Sequence, residues 1–400
     1  MIRQNFNADW TVEKGDGNSR MNSFLGNTQT KTVHLPYDAM IHEARTPDTK
    51  NGAQTGFYPG GEYIFQKHFT APQAWQGKPV SLVFEGVYQT ALVYLNGWLL
   101  TRNVNGYAEF TVEAGPYLKY GADNLLKVIA DNSLEPNSRW YTGSGIYRPV
   151  RLLVGNKVYL PQDTVRITTR EVGEGFALLD VTAQVQSASA VTERVTLQQT
   201  ICREGTAVLT DRQNLLLQPG ESRTVSFRYC VDSPALWSPE NPNLYTSTMQ
   251  VLEGEEELDR EETGFGIRTL SIDAAHGVRI NGQTVKLRGA CIHHDNGILG
   301  AATLPDAEER RIRQLKEAGF NAIRSSHHPA GRALLDACDR YGVLVMDELS
   351  DVWNVRKNPY DYALYFEQDW KPTIQKMVAK DYNHPSVILY CVGNEISEAG

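Results

Sequence analysis

The fold is decided by the stretch Asn321–Glu348, which reads NAIRSSHHPAGRALLDACDRYGVLVMDE. A short apolar run predicts a strand over Asn321–Arg324, and a helical pattern follows over Arg332–Arg340. After Tyr341-Gly342, a second apolar run predicts a buried strand over Val343–Met346. Apolar strands that alternate with helices are typical of a parallel sheet with helices on its faces.

The same alternation continues on both sides of this unit. The predicted elements are strands over Val285–His293 and Val387–Cys391, and helices over Asp306–Ala318 and Trp370–Tyr382. Asp306 is placed as the N-cap of the first of these helices, and Gly319 stops it. We therefore predict that residues 269–400 form the first half of a (β/α)8 barrel.

Polar side chains gather where the predicted strands end. They are His293, His294 and Asp295; Ser325, Ser326, His327 and His328; Asp347 and Glu348; and Asn394 and Glu395. In a (β/α)8 barrel the carboxyl ends of the strands carry the active site. Arg324 lies within its strand, and a buried guanidinium requires a carboxylate partner, for which Asp347 and Glu348 are the candidates. The sequence therefore predicts one site at this edge of the sheet.

Glu395 is the candidate proton donor of this site. A carboxyl group at a barrel mouth protonates a leaving-group oxygen when burial or a nearby like charge raises its pKa. The amide of the preceding Asn394 is placed to hold a substrate hydroxyl, and the imidazoles of His293 and His327 suit hydrogen bonds to sugar hydroxyls. These imidazoles and Glu348 are also conceivable metal ligands. Because neither an HExxH motif nor a local 2-His-1-carboxylate spacing is present, we predict no metal and no cofactor.

Two β domains precede the barrel. Over residues 1–158, short alternating runs are separated by turns such as Asn96-Gly97, which predicts a jelly-roll β-sandwich. Residues 159–268 alternate with Gln, Ser and Thr outward, which predicts an immunoglobulin-like sandwich without chemistry of its own. The loop Arg139-Trp140 near the end of the first domain is the candidate to reach the barrel mouth, where an aromatic face stacks on a sugar. Packing within the sandwich or between domains is the alternative.

Composition narrows the function classes. The 400 residues carry a formal net charge of -8, with 47 acidic and 39 basic residues. No Lys/Arg run stands out, which argues against a nucleic-acid partner. The 5 cysteines are scattered without a CxxC pair, which argues against disulfides or a zinc site. The sequence holds no long apolar run and no signal-like start, so it predicts a cytoplasmic chain without a membrane span.

Several motifs together resemble glycoside hydrolase family 2. Asn321–Val345 is similar to the first signature of that family, and Asp381–Glu395, DYNHPSVILYCVGNE, is similar to its second, which ends in the Asn-Glu pair. Leu287–Ala302 resembles the first barrel strand and loop of β-galactosidase-like members. Arg139–Arg148, RWYTGSGIYR, resembles the close of the N-terminal jelly roll. The resemblance covers essentially the whole chain in the family's order of jelly roll, immunoglobulin-like domain and barrel.

The resemblance implies a role for each position. Glu395 would be the general acid and then the general base, Asn394 would hold the sugar 2-hydroxyl, and Arg324 would position the nucleophile. The other residues assigned to substrate binding are His293, His327, Asp347, Glu348, Trp353, Arg139 and Trp140. Some β-galactosidases bind Mg²⁺ after the third barrel strand, but the segment Asp347–Val355 contains no His, so that site is not expected.

The resemblance also implies a reaction. The chain is expected to be the front part of a retaining exo-β-glycosidase that acts on a terminal β-galactoside, with a β-glucuronide or a β-mannoside as the alternative. The barrel segment holds about four of the eight strand–helix units that the fold needs. The nucleophile is then expected beyond Gly400, and the chain alone is expected to be inactive. The alternative function is a non-catalytic fragment that binds carbohydrate or associates with other copies of itself.

Overall fold

The computed structural model describes residues 1–15 and 30–399, which fold as two β-sandwiches followed by a parallel sheet with helices. The strands of the first sandwich are β1 (Ile2–Asn5), β2 (Trp10–Lys14), β3 (Lys31–Val33), β4 (Gly61–Thr70), β5 (Val80–Phe84), β6 (Thr90–Leu95), β7 (Trp98–Asn103), β8 (Phe110–Glu113), β9 (Asp123–Asn132) and β10 (Val150–Val154). They form two sheets, β1-β10-β5-β8 and β3-β2-β4-β9-β6-β7. Along β9 the alternate residues Leu126, Val128 and Ala130 are fully buried, because one face of the strand enters the core.

The second sandwich follows directly. Its strands are β11 (Val158–Tyr159), β12 (Arg166–Gly173), β13 (Phe176–Ser187), β14 (Glu193–Arg203), β15 (Thr206–Leu217), β16 (Ser222–Asp232), β17 (Tyr245–Glu253) and β18 (Glu256–Phe265). One sheet joins β11, β12 and β16 to β13, and the other has the order β15-β14-β17-β18. Val181, Leu197 and Met249 are fully buried between the two sheets. Both predicted sandwiches are thus confirmed.

The last part of the chain contains the predicted partial barrel. A small antiparallel sheet, β19 (Leu270–Asp273), β20 (Gly277–Ile280) and β21 (Gln283–Thr284), comes first. The parallel strands are β22 (Gly289–Ile292), β23 (Ala322–Ser325), β24 (Leu344–Glu348) and β25 (Val387–Cys391), adjacent in sequence order. The helices are α1 (Pro305–Glu317), α2 (Arg332–Tyr341) and α3 (Phe366–Asp381). Among the described residues, no helix combines the length and the apolar character needed to cross a bilayer.

Short 3-10 turns complete the described elements. They are Met40–His42, Gly52–Thr55, Gln73–Trp75, Gly115–Tyr117, Gly297–Leu299, Tyr362–Leu364 and Ser397–Ala399. Most of them lie in loops. The turn Tyr362–Leu364 belongs to the loop between β24 and α3, which lines a cavity beside the first sandwich.

Most element bounds of the barrel segment differ from the prediction by one to four residues, and three of these differences have a visible cause. Strand β22 begins at Gly289 rather than Val285, because the Asn321 side chain bonds the backbone of the preceding residues, including the Arg288 amide at 2.7 Å. Helix α1 begins at Pro305, so Asp306 lies in the first turn and is not the N-cap; proline already has the φ that a first helical residue requires. Helix α3 begins earlier than Trp370, at Phe366, whose buried ring anchors the first turn.

Strand β24 sets which side chains face the site. Val345 packs under the helices with Ile312 and Leu335. Successive strand side chains point to opposite faces, so Asp347 shares the helix-covered face with Val345. Glu348 therefore points to the opposite face, toward Arg324.

The domains are joined by buried polar contacts. At the start of α2, Arg332 Nε lies 2.8 Å from Glu109 of the first sandwich, and Arg332 Nη2 lies 2.6 Å from Asp163. Arg148 donates to the carbonyl of Pro329, which precedes α2, at 3.1 Å. These contacts fix the first sandwich against the carboxyl-end loops of the parallel sheet.

Candidate active site

Glu348 is the centre of the polar cluster at the strand ends. Its side chain is fully buried, and it accepts from Arg324 Nε at 2.6 Å and contacts His327 Nδ1 at 2.6 Å. Burial alone would raise the pKa of this carboxyl, but the hydrogen bonds from His327 and Arg324 lower it below its usual range. Glu348 is therefore the carboxylate that the strand arginine was predicted to need.

Arg324 also connects Glu348 to the residues after β25. Its Nη2 donates to Asn394 Oδ1 at 3.0 Å, and Asn394 Nδ2 donates to Asp351 Oδ1 at 2.9 Å. The Asn394 side chain is buried, so its amide has one fixed orientation at the edge of the site. The first sandwich completes this chain of contacts, since Arg139 Nη2 and Nε bond the two oxygens of Asp351 at 2.6 and 3.0 Å.

Glu395 lies at the open end of this network. Its Oε2 is 3.7 Å from Arg139 Nη1 and 4.0 Å from Lys357 Nζ, and its side chain is 72% exposed. A proton donor at this position was predicted to be buried or close to a like charge. The described residues, 1–15 and 30–399, do not bury the Glu395 carboxyl. The backbone of Glu395 has φ 48°, a left-handed conformation that is uncommon for a non-glycine residue and occurs often at functional sites.

The two predicted histidines both pack against Trp140 and lie beside each other, with their ring centroids 6.1 Å apart. The Trp140 ring stacks on His293 with centroids 4.8 Å apart and meets His327 edge-on at 5.7 Å. Its Nε1 donates to the hydroxyl of Tyr107 at 3.0 Å, which holds the indole at the barrel mouth. The His293 ring contacts the Ser326 carbonyl at 2.6 Å, and burial lowers its pKa. The structure therefore places the loop from the first sandwich at the strand ends.

Two predicted site residues lie apart from this network. Asp347 is fully buried on the helix-covered face, where it accepts from the Ala330 amide at 2.8 Å. Burial and the neighbouring Asp381 raise its pKa well above the usual range. Asp347 therefore lies on the face away from Arg324, because adjacent residues of a strand face opposite sides of the sheet, and its role in substrate binding stays a prediction. Trp353 stacks on Phe366 and donates to the Val392 carbonyl at 2.8 Å, so it packs beside the strand end.

The structure adds residues that the sequence analysis did not assign. Asp351 joins Arg139 to Asn394, and Lys357 donates to Asp351 Oδ1 at 3.0 Å and to the Asn394 carbonyl at 2.7 Å. Tyr107 stacks on His328 at 4.0 Å. For Asp351 a signal existed, since it follows the end of β24 by only three residues, whereas nothing in the sequence places Tyr107 beside a histidine of another domain.

One group of side chains in the described ranges 1–15 and 30–399 has the geometry to hold a cation. It consists of Asp336, Asp339 and His384, with ligand atoms within 4.8 Å of one another. Asp339 is already paired with His384 at 2.6 Å and accepts from the Ser386 amide, at the amino end of β25. The group is therefore explained as a structural ion pair on the opposite edge of the sheet from Glu395.

Replacement of Asp351 with asparagine is expected to change the pH dependence of stability. Burial alone would raise the Asp351 pKa, but hydrogen bonds from Arg139, Asn394 and Lys357 lower it. A carboxyl with a depressed folded pKa contributes stability above its unfolded pKa, about 3.9, which is lost as the pH falls through the folded value. We expect Asp351→Asn to lower the free energy of unfolding by about 1–3 kcal/mol at pH 7, and by less near pH 3.

Thermal unfolding between pH 3 and 7 measures this difference. Asp180→Asn is the matched control, because Arg228 also lowers the pKa of Asp180, but on the exposed surface of the second sandwich. The control is expected to shift the unfolding midpoint much less, since exposed ion pairs contribute little. Equal shifts for both variants at every pH would contradict the interpretation.

Family profiles match the chain in three consecutive segments. Residues 10–163 match the glycosyl hydrolase 2 galactose-binding domain-like profile, residues 158–268 match glycosyl hydrolases family 2, and residues 274–400 match the family 2 TIM barrel domain. A β-galactosidase of Bacteroides ovatus, BoGH2A, is 37% identical over 99% of the chain and 47% of its own length. A putative β-glucuronidase of Formosa agariphila is 32% identical over 98% of the chain and 37% of its own length.

Solved structures agree with these relatives. A family 2 glycosyl hydrolase from Bacteroides cellulosilyticus superposes with a TM-score of 0.95 at 37% identity, over 100% of this chain and 52% of that one. A β-glycosidase from Bacteroides vulgatus has a TM-score of 0.91 at 31% identity, over 100% of this chain and 51% of that one. The chain thus spans less than half the length of the two curated relatives. On the matching profiles and relatives, the chain belongs to glycoside hydrolase family 2.

Proposed function

We propose that the whole protein containing this chain is a retaining exo-β-glycosidase, with Glu395 as its acid/base. The observation that carries the proposal is a continuous hydrogen-bond network that ends at Arg139, the arginine beside Glu395. It runs through His327, Glu348, Arg324, Asn394 and Asp351. It brings hydrogen-bonding groups from several strand ends to one edge, as sugar recognition requires. The Asn394 Nδ2 group donates one of its two hydrogens to Asp351, and we assign the second to the 2-hydroxyl of the sugar.

In this mechanism the reaction has two displacements. A carboxylate bonds to the anomeric carbon as the glycosidic C–O bond breaks, and Glu395 gives its proton to the leaving oxygen. Water then bonds to the anomeric carbon, Glu395 takes the water proton, and the carboxylate leaves. Retention needs two carboxyl groups about 5–5.5 Å apart. Glu348 and Asp351 are held in ion pairs, so we assign the nucleophile to the part of the barrel beyond this chain.

A terminal β-galactoside is the favoured substrate. The support is the 37% identical relative described as a β-galactosidase and the family's galactose-binding-like domain. A β-glucuronide or β-mannoside is the alternative, and the 32% identical relative described as a putative β-glucuronidase favours the former. Comparing p-nitrophenyl β-galactoside, β-glucuronide and β-mannoside on the whole protein decides between them.

A non-catalytic role of the isolated chain is the second candidate. Its parallel sheet has four strands, and unpaired strand edges favour association with another copy. In that case the chain binds carbohydrate or assembles without hydrolysing a substrate. Sedimentation of the purified chain separates a monomer from an assembly.

The polypeptide of residues 1–400 is expected to show no turnover of p-nitrophenyl β-galactoside. The reason is that Glu395 is largely exposed and the carboxylates beside it are already paired. Release of p-nitrophenol by the purified polypeptide measures this, with the whole protein as the positive control. Hydrolysis by residues 1–400 that disappears in Glu395→Gln would show that the chain is catalytic by itself.

A further inference from the structure

A narrow cavity lies between the first sandwich and the loop after β24. Its lining includes Trp140 and His327, which also belong to the candidate active site, together with Gln89, Tyr107 and Tyr362. Water-sized groups can occupy about 50 Å³ of it. This space admits a hydroxyl or hydroxymethyl group together with water, whereas a second sugar ring does not fit.

Gln89 is the unusual residue of this cavity. Its side chain is only 7% exposed and lines the cavity, yet its amide makes no hydrogen bond to any residue in the described ranges. The amide of so deeply buried a residue nearly always has a protein partner. The polar atoms of Gln89 are not among the fully sealed unpaired atoms of the described residues, so they keep contact with accessible space. The neighbouring Tyr88 is paired, since its hydroxyl donates to Asn137 at 3.1 Å. A free amide in a polar cavity therefore points to a ligand group.

The position of the cavity indicates which part of a substrate enters it. It contacts Trp140 and His327, which are assigned to the terminal sugar, but neither Asn394 nor Glu395 belongs to its lining. A group in this cavity is thus on the side of the sugar remote from the bond that is cleaved. The hydroxymethyl arm at C6 is the one substituent of a hexopyranoside that projects beyond the ring by an extra carbon.

Charge also distinguishes between substrates. Within the described residues the cavity lining contains no Lys or Arg, and it contains the carboxylates of Asp351 and Asp361. The nearest cations of the network, Arg139 and Lys357, are already bound to Asp351. A uronate carboxylate in this cavity would find no Lys or Arg in the lining, and these two cations are already committed to Asp351, so burying it without a cation is unfavourable.

We propose that this cavity is a subsite for the C6 hydroxyl of a neutral terminal sugar, and that the Gln89 amide binds that hydroxyl. The inference rests on the proposed function and deepens it, because it selects a neutral hexoside over a uronide. Gln89 is then a specificity-determining residue, in a position where no described residue bonds its amide.

The test compares two substrates that differ only at C6. In the whole protein, kcat/KM is measured with p-nitrophenyl β-D-galactopyranoside and with its 6-deoxy analogue, p-nitrophenyl β-D-fucopyranoside. Gln89→Leu is expected to lower kcat/KM about tenfold for the galactoside, the effect of one lost hydrogen bond, and to leave the fucoside unchanged. The unfolding midpoint is expected to stay the same, since the Gln89 amide has no bond within the described residues.

Gln199→Leu is the control for a structural effect. Gln199 is a fully buried amide of the second sandwich that donates to Ser247 at 2.8 Å. This variant is expected to lower the unfolding midpoint and to leave the galactoside-to-fucoside ratio of kcat/KM unchanged. Equal losses on both substrates for Gln89→Leu, or a wild-type preference for the β-glucuronide, would overturn the inference while the glycosidase function stands.

A binding experiment keeps the inference testable without turnover. If the whole protein hydrolyses none of these glycosides, the proposed function fails. Calorimetry then measures the ratio of the dissociation constants of free galactose and free fucose, in wild type and in Gln89→Leu. Tighter binding of galactose that is lost in the variant supports the subsite, and equal binding of both sugars in the wild type rejects it.

Discussion

Glu395→Gln in the whole protein is expected to slow hydrolysis of unactivated β-glycosides by about 10²–10⁴-fold. The glutamine keeps the size of the side chain but has no proton to give to the leaving oxygen. Substrates with good leaving groups, such as nitrophenyl glycosides, need little protonation, so their first displacement is expected to slow far less. Rates for a series of aryl β-galactosides plotted against the leaving-group pKa measure this difference.

Glu398→Gln is the matched control for this prediction. Glu398 is another exposed glutamate of the same segment, and its Oε1 accepts from the Asn354 and Val355 amides at 2.9 and 3.0 Å. Loss of these contacts is expected to alter the loop but not the dependence on leaving group. If Glu395→Gln slows all members of the series by the same factor, Glu395 is not the acid.

The meeting of the strand-end residues could be predicted because it follows from topology. Parallel strands in sequence order bring their carboxyl ends to one edge, so His293, His327, Glu348 and Asn394 had to approach one another once the β–α alternation was recognised. The strand Arg324 was expected to pair with one of two adjacent carboxylates. The need of a strand arginine for a carboxylate was therefore sufficient to predict an ion pair at this edge, although the Arg324 side chain is 32% exposed.

Which of the two carboxylates pairs with Arg324 could not be predicted as easily. A shift of one residue in a strand moves a side chain to the other face, and both Asp347 and Glu348 follow the same apolar run. The buried Val345 fixes this choice, because it places Asp347 under the helices. Asp351 was missed for another reason, since its partner Arg139 is 212 residues away and belongs to a different domain.

Arg332→Met is expected to cause the largest loss of stability among these variants. The Arg332 side chain is 20% exposed and pairs with Glu109 and Asp163, so it joins α2 to the first sandwich and to the start of the second. Burial alone would raise the Glu109 pKa, but Arg332 lowers it to about 2. Removing Arg332 takes away the nearest cation of Glu109 and leaves that carboxylate with Arg151 at 3.2 Å. We expect a loss of about 3 kcal/mol in the free energy of unfolding at pH 7.

The pH dependence and a second arginine of the same helix make this prediction specific. Because the Glu109 pKa is depressed, the stability that this carboxylate contributes is present above its unfolded pKa, about 4.3, and is lost toward pH 2. The difference in unfolding free energy between Arg332→Met and wild type should therefore shrink on acidification. Arg340→Met removes an exposed pair with Glu309 and is expected to cost at most about 0.5 kcal/mol. Unfolding monitored from pH 2 to 7 checks both variants. Equal losses of unfolding free energy in Arg332→Met and Arg340→Met would mean that Arg332 does not hold the domains together. Of the two arginines, Arg332 is the one that pairs with carboxylates of the sandwich domains.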